Sequence, residues 1–188
     1  MKKKVLLSIS LLAMGVFLLG TASVAMAGHE IVGAAKCKMC HKKVKVGAQY
    51  PKWAESKHAK AYETLASDEA KKIATEKGLG DPQKEEACLK CHTTQDFLGA
   101  DVAVSATGKY VITEGVGCEA CHGAGSDYKK KSVMKDHDAA VAAGMTREKS
   151  EAFCVKCHND ESPTFKAFDF EKQWAEIDHP IVAKEKKE

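Results

Sequence analysis

Cys37-Lys38-Met39-Cys40-His41, Cys88-Leu89-Lys90-Cys91-His92, Cys118-Glu119-Ala120-Cys121-His122 and Cys154-Val155-Lys156-Cys157-His158 together use all eight cysteines of the chain. Each is a C-x-x-C pair followed directly by His. A disulfide framework has no use for a His after every pair, and C-x-x-C zinc sites need none at a fixed offset. The c-type haem attachment motif needs both. Its two thiols add to the vinyl groups of one haem, and the adjacent His binds the iron through an imidazole nitrogen. Four matches in four pairs predict four covalently bound haem c groups. The attachment residues are Cys37, Cys40, Cys88, Cys91, Cys118, Cys121, Cys154 and Cys157, and the proximal ligands are His41, His92, His122 and His158.

The residues around the motifs agree with this reading. Lys2, Lys3 and Lys4 precede an apolar run from Val5 to Gly20, and Ala25-Met26-Ala27 has the small-x-small form of a cleavage site. Residues 1–27 therefore read as a cleaved signal peptide, and residues 28–188 as one tetrahaem domain that is periplasmic or extracellular. No second apolar stretch is long enough to span a membrane. The formal charge of +3 resides in the leader, since residues 28–188 balance 26 acidic side chains with as many basic ones. A neutral chain argues against nucleic acid as a partner. Each haem would add two propionates and, when ferric, one positive centre, so the loaded protein should carry about −4 oxidised and about −8 reduced. Aromatic residues make up only 6% of the chain and charged residues 29%. Side chains alone make a thin core, and the macrocycles are expected to complete it.

Four irons need distal ligands, and four further histidines remain: His29, His58, His137 and His179. Pro51 to Leu65 reads as one helix in which His58, Ala61, Tyr62 and Leu65 share a face. His137 falls in a segment opened by Ser132 and stopped at Gly144. His179 hangs from the end of a helix whose face is Phe170, Trp174 and Ile177, because Pro180 pushes it out of helical geometry. His29 lies two residues into the mature chain, where termini are usually mobile, and is the weakest candidate.

The predicted fold is mainly α, a small multihaem cytochrome whose short helices wrap around the haems. Asp68–Lys77 reads as a helix ended by Gly78, Asp81-Pro82 opens the helix that delivers Cys88, and Thr146 caps the one that delivers Cys154. The sole β signal is a hairpin at about 102–112, where Val102 and Val104 alternate, Ala106 to Lys109 turn, and Tyr110 and Ile112 alternate.

At these residues the chain resembles the tetrahaem cytochrome c-554 family. Gly115-Val116-Gly117-Cys118-Glu119-Ala120-Cys121-His122-Gly123-Ala124-Gly125 is similar to that family's third motif, and Trp53–Leu65, around His58-Ala59-Lys60-Ala61, to its distal-His helix. The order of the four motifs also matches, from Cys37 to His158. The resemblance implies an exported, largely helical electron carrier with closely stacked haem pairs. It also implies mostly bis-His irons and an open position on the second, which would leave His92 without a distal partner. It suggests His137 opposite His41 and His58 opposite His122. Proximity along the chain suggests His179 opposite His158. Electron transfer between redox partner proteins, some of them membrane-associated, is the leading function. A small reductase of nitrogen oxides or hydroxylamine at one open haem is the alternative. A third reading is a protomer of an extracellular cytochrome filament or other oligomer, with His29 ligating a neighbour's haem.

Overall fold

The computed structural model describes residues 28–99, 101–147 and 149–179. The leader, Met1 to Ala27, and the Lys184–Glu188 tail lie outside the described residues. Within them the architecture is helical, with short elements: α1 (Ala34–His41), α2 (Gln49–Glu55), α3 (Ala61–Thr64), α4 (Asp68–Glu76), α5 (Glu86–His92), α6 (Thr94–Leu98), α7 (Cys118–His122), α8 (Lys131–Met134), α9 (His137–Ala142), α10 (Glu151–Cys154) and α11 (Phe170–Ile177). Single 3-10 turns occur at Val44–Val46, His58–Lys60 and Ile112–Glu114. None of the helices is long and apolar enough to cross a membrane.

Helices this short do not persist on propensity alone. Side-chain caps close their first turns. Ser67 accepts from Ala70 N, Thr93 from Asp96 N, Ser150 from Phe153 N and Asp169 from Lys172 N. Asp136 accepts from both Asp138 N and Ala139 N. The buried apolar set is Ile31, Val32, Ala34, Leu65, Ala74, Leu89, Ala120, Ala124, Tyr128 and Ala140. Half of these are alanines, which fill little volume, as the thin apolar supply of the sequence implies.

The N-terminal segment organises the fold, which corrects the expectation of a mobile terminus. Ile31 and Val32 are fully buried. Ile31 N donates to Ala103 O (2.8 Å), Ser105 N to Ile31 O (2.9 Å), Lys109 N to Val32 O (2.7 Å) and Ser126 N to Glu30 O (3.1 Å). The same bonds correct the hairpin expected at about 102–112. Val104 makes a parallel bridge with Ile31, and the Lys109 arm bonds Val32, so the Ile31–Val32 segment takes the partners that the two arms would have given each other. Gly33 makes the close approach possible. Its φ is +85°, and a Cβ there would lie 2.4 Å from Tyr110 N.

The other departures are local. The helix expected from Pro51 to Leu65 breaks at Ser56, which is extended (ψ 162°). The His58 carbonyl then accepts from Ala61 N in a 3-10 turn and from Val116 N at 3.0 Å. The segment before Gly144 breaks at Asp136, whose carboxylate replaces Ser132 as the cap of the His137 helix. Ser150, not Thr146, caps α10, because Thr146 is engaged with Cys121 O and His122 O. Around Pro82 the chain forms only turns, and α5 begins at Glu86.

Candidate haem sites

Helical geometry explains the pentapeptide spacing. Residues i, i+3 and i+4 lie on one helix face, so the two thiols and the imidazole of each motif project together. The motifs fall in α1, α5 and α7 and across the end of α10, where the following turn keeps the geometry through His158 N to Cys154 O at 3.0 Å. None of the eight cysteines is in a disulfide. They meet across motifs. The neighbouring Cys37 and burial push the Cys118 thiol pKa up. Burial and the neighbouring Cys91 thiol push Cys157 up to about 12. Burial and the neighbouring Cys154 push Cys121 up to about 11. The attachment points therefore run in space from first to third to fourth to second.

Two histidine pairs stand across from each other. The rings of His58 and His158 have centroids 6.0 Å apart, and those of His122 and His179 5.9 Å. Two imidazoles that bind one metal ion at about 2 Å through facing nitrogens place their centroids roughly 6 Å apart. The residues present thus fit an iron between each pair. Burial lowers the pKa of His58, His122 and His158 below the usual histidine value, and His158 adds to the effect on His58. The rings are therefore neutral at pH 7, the form that ligates. This pairing exchanges the partners expected from the sequence. His58 faces the fourth motif instead of the third, and His179 faces the third instead of the fourth.

Hydrogen bonds at Nδ1 orient several rings with Nε2 outward, the arrangement typical of metal-ligating histidines. His122 Nδ1 donates to Thr146 O (2.9 Å), His92 Nδ1 to Ala61 O (2.6 Å) and His179 Nδ1 to Ile177 O (2.9 Å). His41 Nδ1 lies 3.2 Å from Gln49 Oε1. His137 is exposed at the start of α9, with Nδ1 3.4 Å from the Asp138 carboxylate. Among the aromatic pairs of the described residues, no second histidine faces His41, His92, His137 or His29. His29 is not loose. Its Nδ1 is 2.6 Å from Asp127 Oδ2, and its ring lies over Gly144, where a Cβ would come 2.7 Å from Nε2.

Two sets of polar residues that join the motifs escaped the sequence reading. Glu119, inside the third motif, is 1% exposed and accepts from Val32 N (2.9 and 3.1 Å), Gly33 N (2.7 Å) and Gly125 N (2.6 Å). Glu114 accepts from Ala34 N at 3.1 and 3.3 Å. The two carboxylates hold the start of α1, which carries the first motif, against the third. Burial raises both pKa values, and Glu119 further raises Glu114, to about 7. Thr93 and Thr94, directly after His92, are fully buried. Thr94 ties the second motif to the third through Gly117 N (2.7 Å) and Gly115 O (3.1 Å). The glycines flanking the third motif, Gly115, Gly117, Gly123 and Gly125, were the available signal for this close backbone packing.

A helical chain with four C-x-x-C-H motifs and paired histidines defines a multihaem c-type cytochrome, a class that works in electron transfer. Residues 36–123 match the family described as cytochrome c554 and c-prime. The chain is 32% identical over 130 residues to cytochrome c-554 of Nitrosomonas europaea, covering 67% of this chain and 52% of that protein. It is 29% identical over 75 residues to the C-type polyheme cytochrome OmcC of Geobacter sulfurreducens, covering 39% of this chain and 9% of that protein. The chain thus spans about half of the first relative and less than a tenth of the second. No solved structure matches it. The chain belongs to the cytochrome c-554 family.

Proposed function

We propose that residues 28–188 form an exported tetrahaem electron carrier, with a leader at residues 1–27 removed on export. The observation that carries the reading is the two pairs of facing histidines, at 6.0 and 5.9 Å, at two of the four complete attachment motifs. Reversible one-electron transfer is the chemistry that the haems supply when bound. The chain's own residues do the rest. Cys37 and Cys40, Cys88 and Cys91, Cys118 and Cys121, and Cys154 and Cys157 hold the four groups. His158 with His58, and His122 with His179, would each hold one iron between them. Filled positions favour outer-sphere transfer over bond chemistry and, with no Met ligand, low potentials. Cysteines of successive motifs are neighbours in the order first, third, fourth, second, which would bring the sites close together. Glu114, Glu119 and Thr94 fix that spacing. The alanine-rich core supplies little apolar volume, which macrocycles would complete.

The second motif favours a second reading. His92 is oriented by Ala61 O, and no histidine faces it among the described aromatic pairs. An iron held there would keep an open position, where a nitrogen oxide or hydroxylamine could bind.

Mass spectrometry and low-temperature EPR of the protein matured in a haem-attaching bacterial host test both readings. The carrier reading expects four covalent haems, a start at Gly28 and mostly low-spin ferric iron that cycles reversibly. Two or more unmodified cysteines would overturn it. A high-spin signal from about one haem in four, together with turnover of nitric oxide or hydroxylamine, would favour the enzyme.

A further inference from the structure

The strongest surface feature surrounds the first motif. Building on the carrier reading above, we propose that this surface docks an acidic face of a one-electron redox protein and is the port through which electrons enter or leave.

Cys40 is the one exposed cysteine of the eight, so the first haem would be attached at the molecular surface. Exposed apolar side chains surround it: Met39 is 70% exposed, Val44 83% and Val46 38%. Lysines alternate with them along the chain: Lys38, Lys42, Lys43 and Lys45 are exposed and Lys36 is half-buried. Exposed apolar side chains with charged neighbours are the common anatomy of a transient interface. The 3-10 turn Val44–Val46 presents the patch, and Gly47 (φ 108°) and Ala48 (φ 47°) turn the chain back towards α2.

The charge distribution identifies the partner. Residues 31–60 carry eight Lys against one acid, Glu55, whereas residues 61–188 carry 18 basic side chains against 24 acidic. Elsewhere Lys71, Lys72, Lys84 and Lys90 each lie within 4 Å of a carboxylate, at 3.9, 3.8, 3.1 and 2.5 Å. No lysine of the patch has such a partner among the described residues; Lys38 lies 5.1 Å over the Tyr50 ring instead. No carboxylate of the described chain neutralises them, which leaves their charge available to an acidic partner. An anionic bilayer would also meet that charge, but a bilayer gives no reason for a haem cysteine to stand at the centre of the patch. A redox partner does.

The test uses the reduced holoprotein and ferricyanide, followed by stopped flow. One electron leaves a ferrous haem and reduces ferricyanide to ferrocyanide. The loaded protein is net negative, so without a local basic port its rate must rise with ionic strength. The docking patch requires the opposite, a rate that falls between about 0.01 and about 0.5 M salt. Lys42→Glu/Lys43→Glu/Lys45→Glu should slow the reaction about tenfold at low salt and reverse the salt dependence. Lys43→Gln/Lys45→Gln should give a smaller change of the same sign. Lys71→Glu/Lys72→Glu on α4 should leave the salt dependence as it was. Carbodiimide should couple an acidic flavodoxin to lysines between 36 and 45, read by peptide mapping. Rates that rise with salt, or cross-links spread over residues 61–179, overturn the proposal. So does lysine-dependent binding to phosphatidylglycerol vesicles without the salt effect, which would assign the patch to a membrane. A fully loaded protein that ferricyanide fails to oxidise at any salt concentration would instead refute the carrier reading.

Discussion

Replacing Glu119 with Gln should release the N-terminal segment from the third motif while leaving the shape of the site unchanged. The carboxylate oxygens divide their donors: Oε1 serves Val32 N and Gly125 N, and Oε2 serves Val32 N and Gly33 N. In Glu119→Gln one oxygen becomes an amide NH2. If it stands at Oε1 it opposes Gly125 N, and if at Oε2 it opposes Gly33 N. Either way one buried N–H loses its acceptor, at about 1–3 kcal/mol, and the remaining bonds lose the charge that makes them worth about 1.5–3 kcal/mol each. Removing a buried charge offsets part of this, since burial already pushes the Glu119 pKa up. The net loss is about 2–4 kcal/mol, or roughly 5–15 °C in Tm for a chain of this size. Urea unfolding of the wild type and variant holoproteins measures the total. Amide hydrogen exchange at Val32 and Gly33 locates it, because local opening of residues 29–33 should precede global unfolding in the variant. A loss below about 1 kcal/mol with unchanged protection at those two amides would show that the apolar burial of Ile31 and Val32 holds the segment, and that the carboxylate clamp is incidental.

Glu114→Gln should act in the opposite direction and depend on pH. The folded carboxyl titrates at about 7, above its ordinary 4.5, so its stabilising contribution is complete below about pH 4.5 and is lost as pH rises through 7. With partial exposure discounted, the variant should be more stable than wild type by about 1 kcal/mol at pH 8 and equal to it near pH 4; denaturant curves with the same gap at both pH values would refute this. Gly33→Ala should cost more than about 3 kcal/mol or abolish folding, because the new Cβ meets the Tyr110 backbone at a φ of +85°; near-normal thermal unfolding would refute the close approach. His58→Ala should turn one ferric haem high-spin and raise its potential, and paramagnetic NMR should trace the change to the haem on Cys154 and Cys157. A shift in the haem on Cys118 and Cys121 would restore the partner expected from the sequence.

Local features of the chain were legible and long-range ones were not. The helices of Asp68–Glu76 and Phe170–Ile177 and the stops at Gly78 and Gly144 follow from periodicity and capping, which act within a few residues. The four motifs were legible because their chemistry is encoded in five consecutive positions. The 102–112 hairpin failed because its alternation was genuine but its partner was wrong. Ile31 and Val32 lie about seventy residues upstream in sequence, and nothing local announces a strand-like insertion from there. The histidines that face each other differ from the expected partners for the same reason. His179 follows the fourth motif closely in sequence, but α11 turns its end towards the third, 5.9 Å from His122.

The bonds that set the pairing also bear on how the sites are coupled. Glu119 belongs to the third motif yet holds the segment that opens α1, and Cys37 of that helix lies beside Cys118. Thr94 follows the second motif yet bonds Gly115 and Gly117, just before the third. The first and second motifs are therefore each tied to the third through backbone, and the first and third share two carboxylates, Glu119 buried and Glu114 half-buried, that repel each other. A charge change at either of those two sites is felt through short, fixed distances in a dry interior, where charges act more strongly than in water. Lys36 and Lys38 of the lysine patch belong to the same helix, and Lys42, Lys43 and Lys45 follow directly after it. A partner that neutralises Lys36 to Lys45 acts on the first motif from solvent, while Glu114 and Glu119 act on it through the backbone at the start of α1.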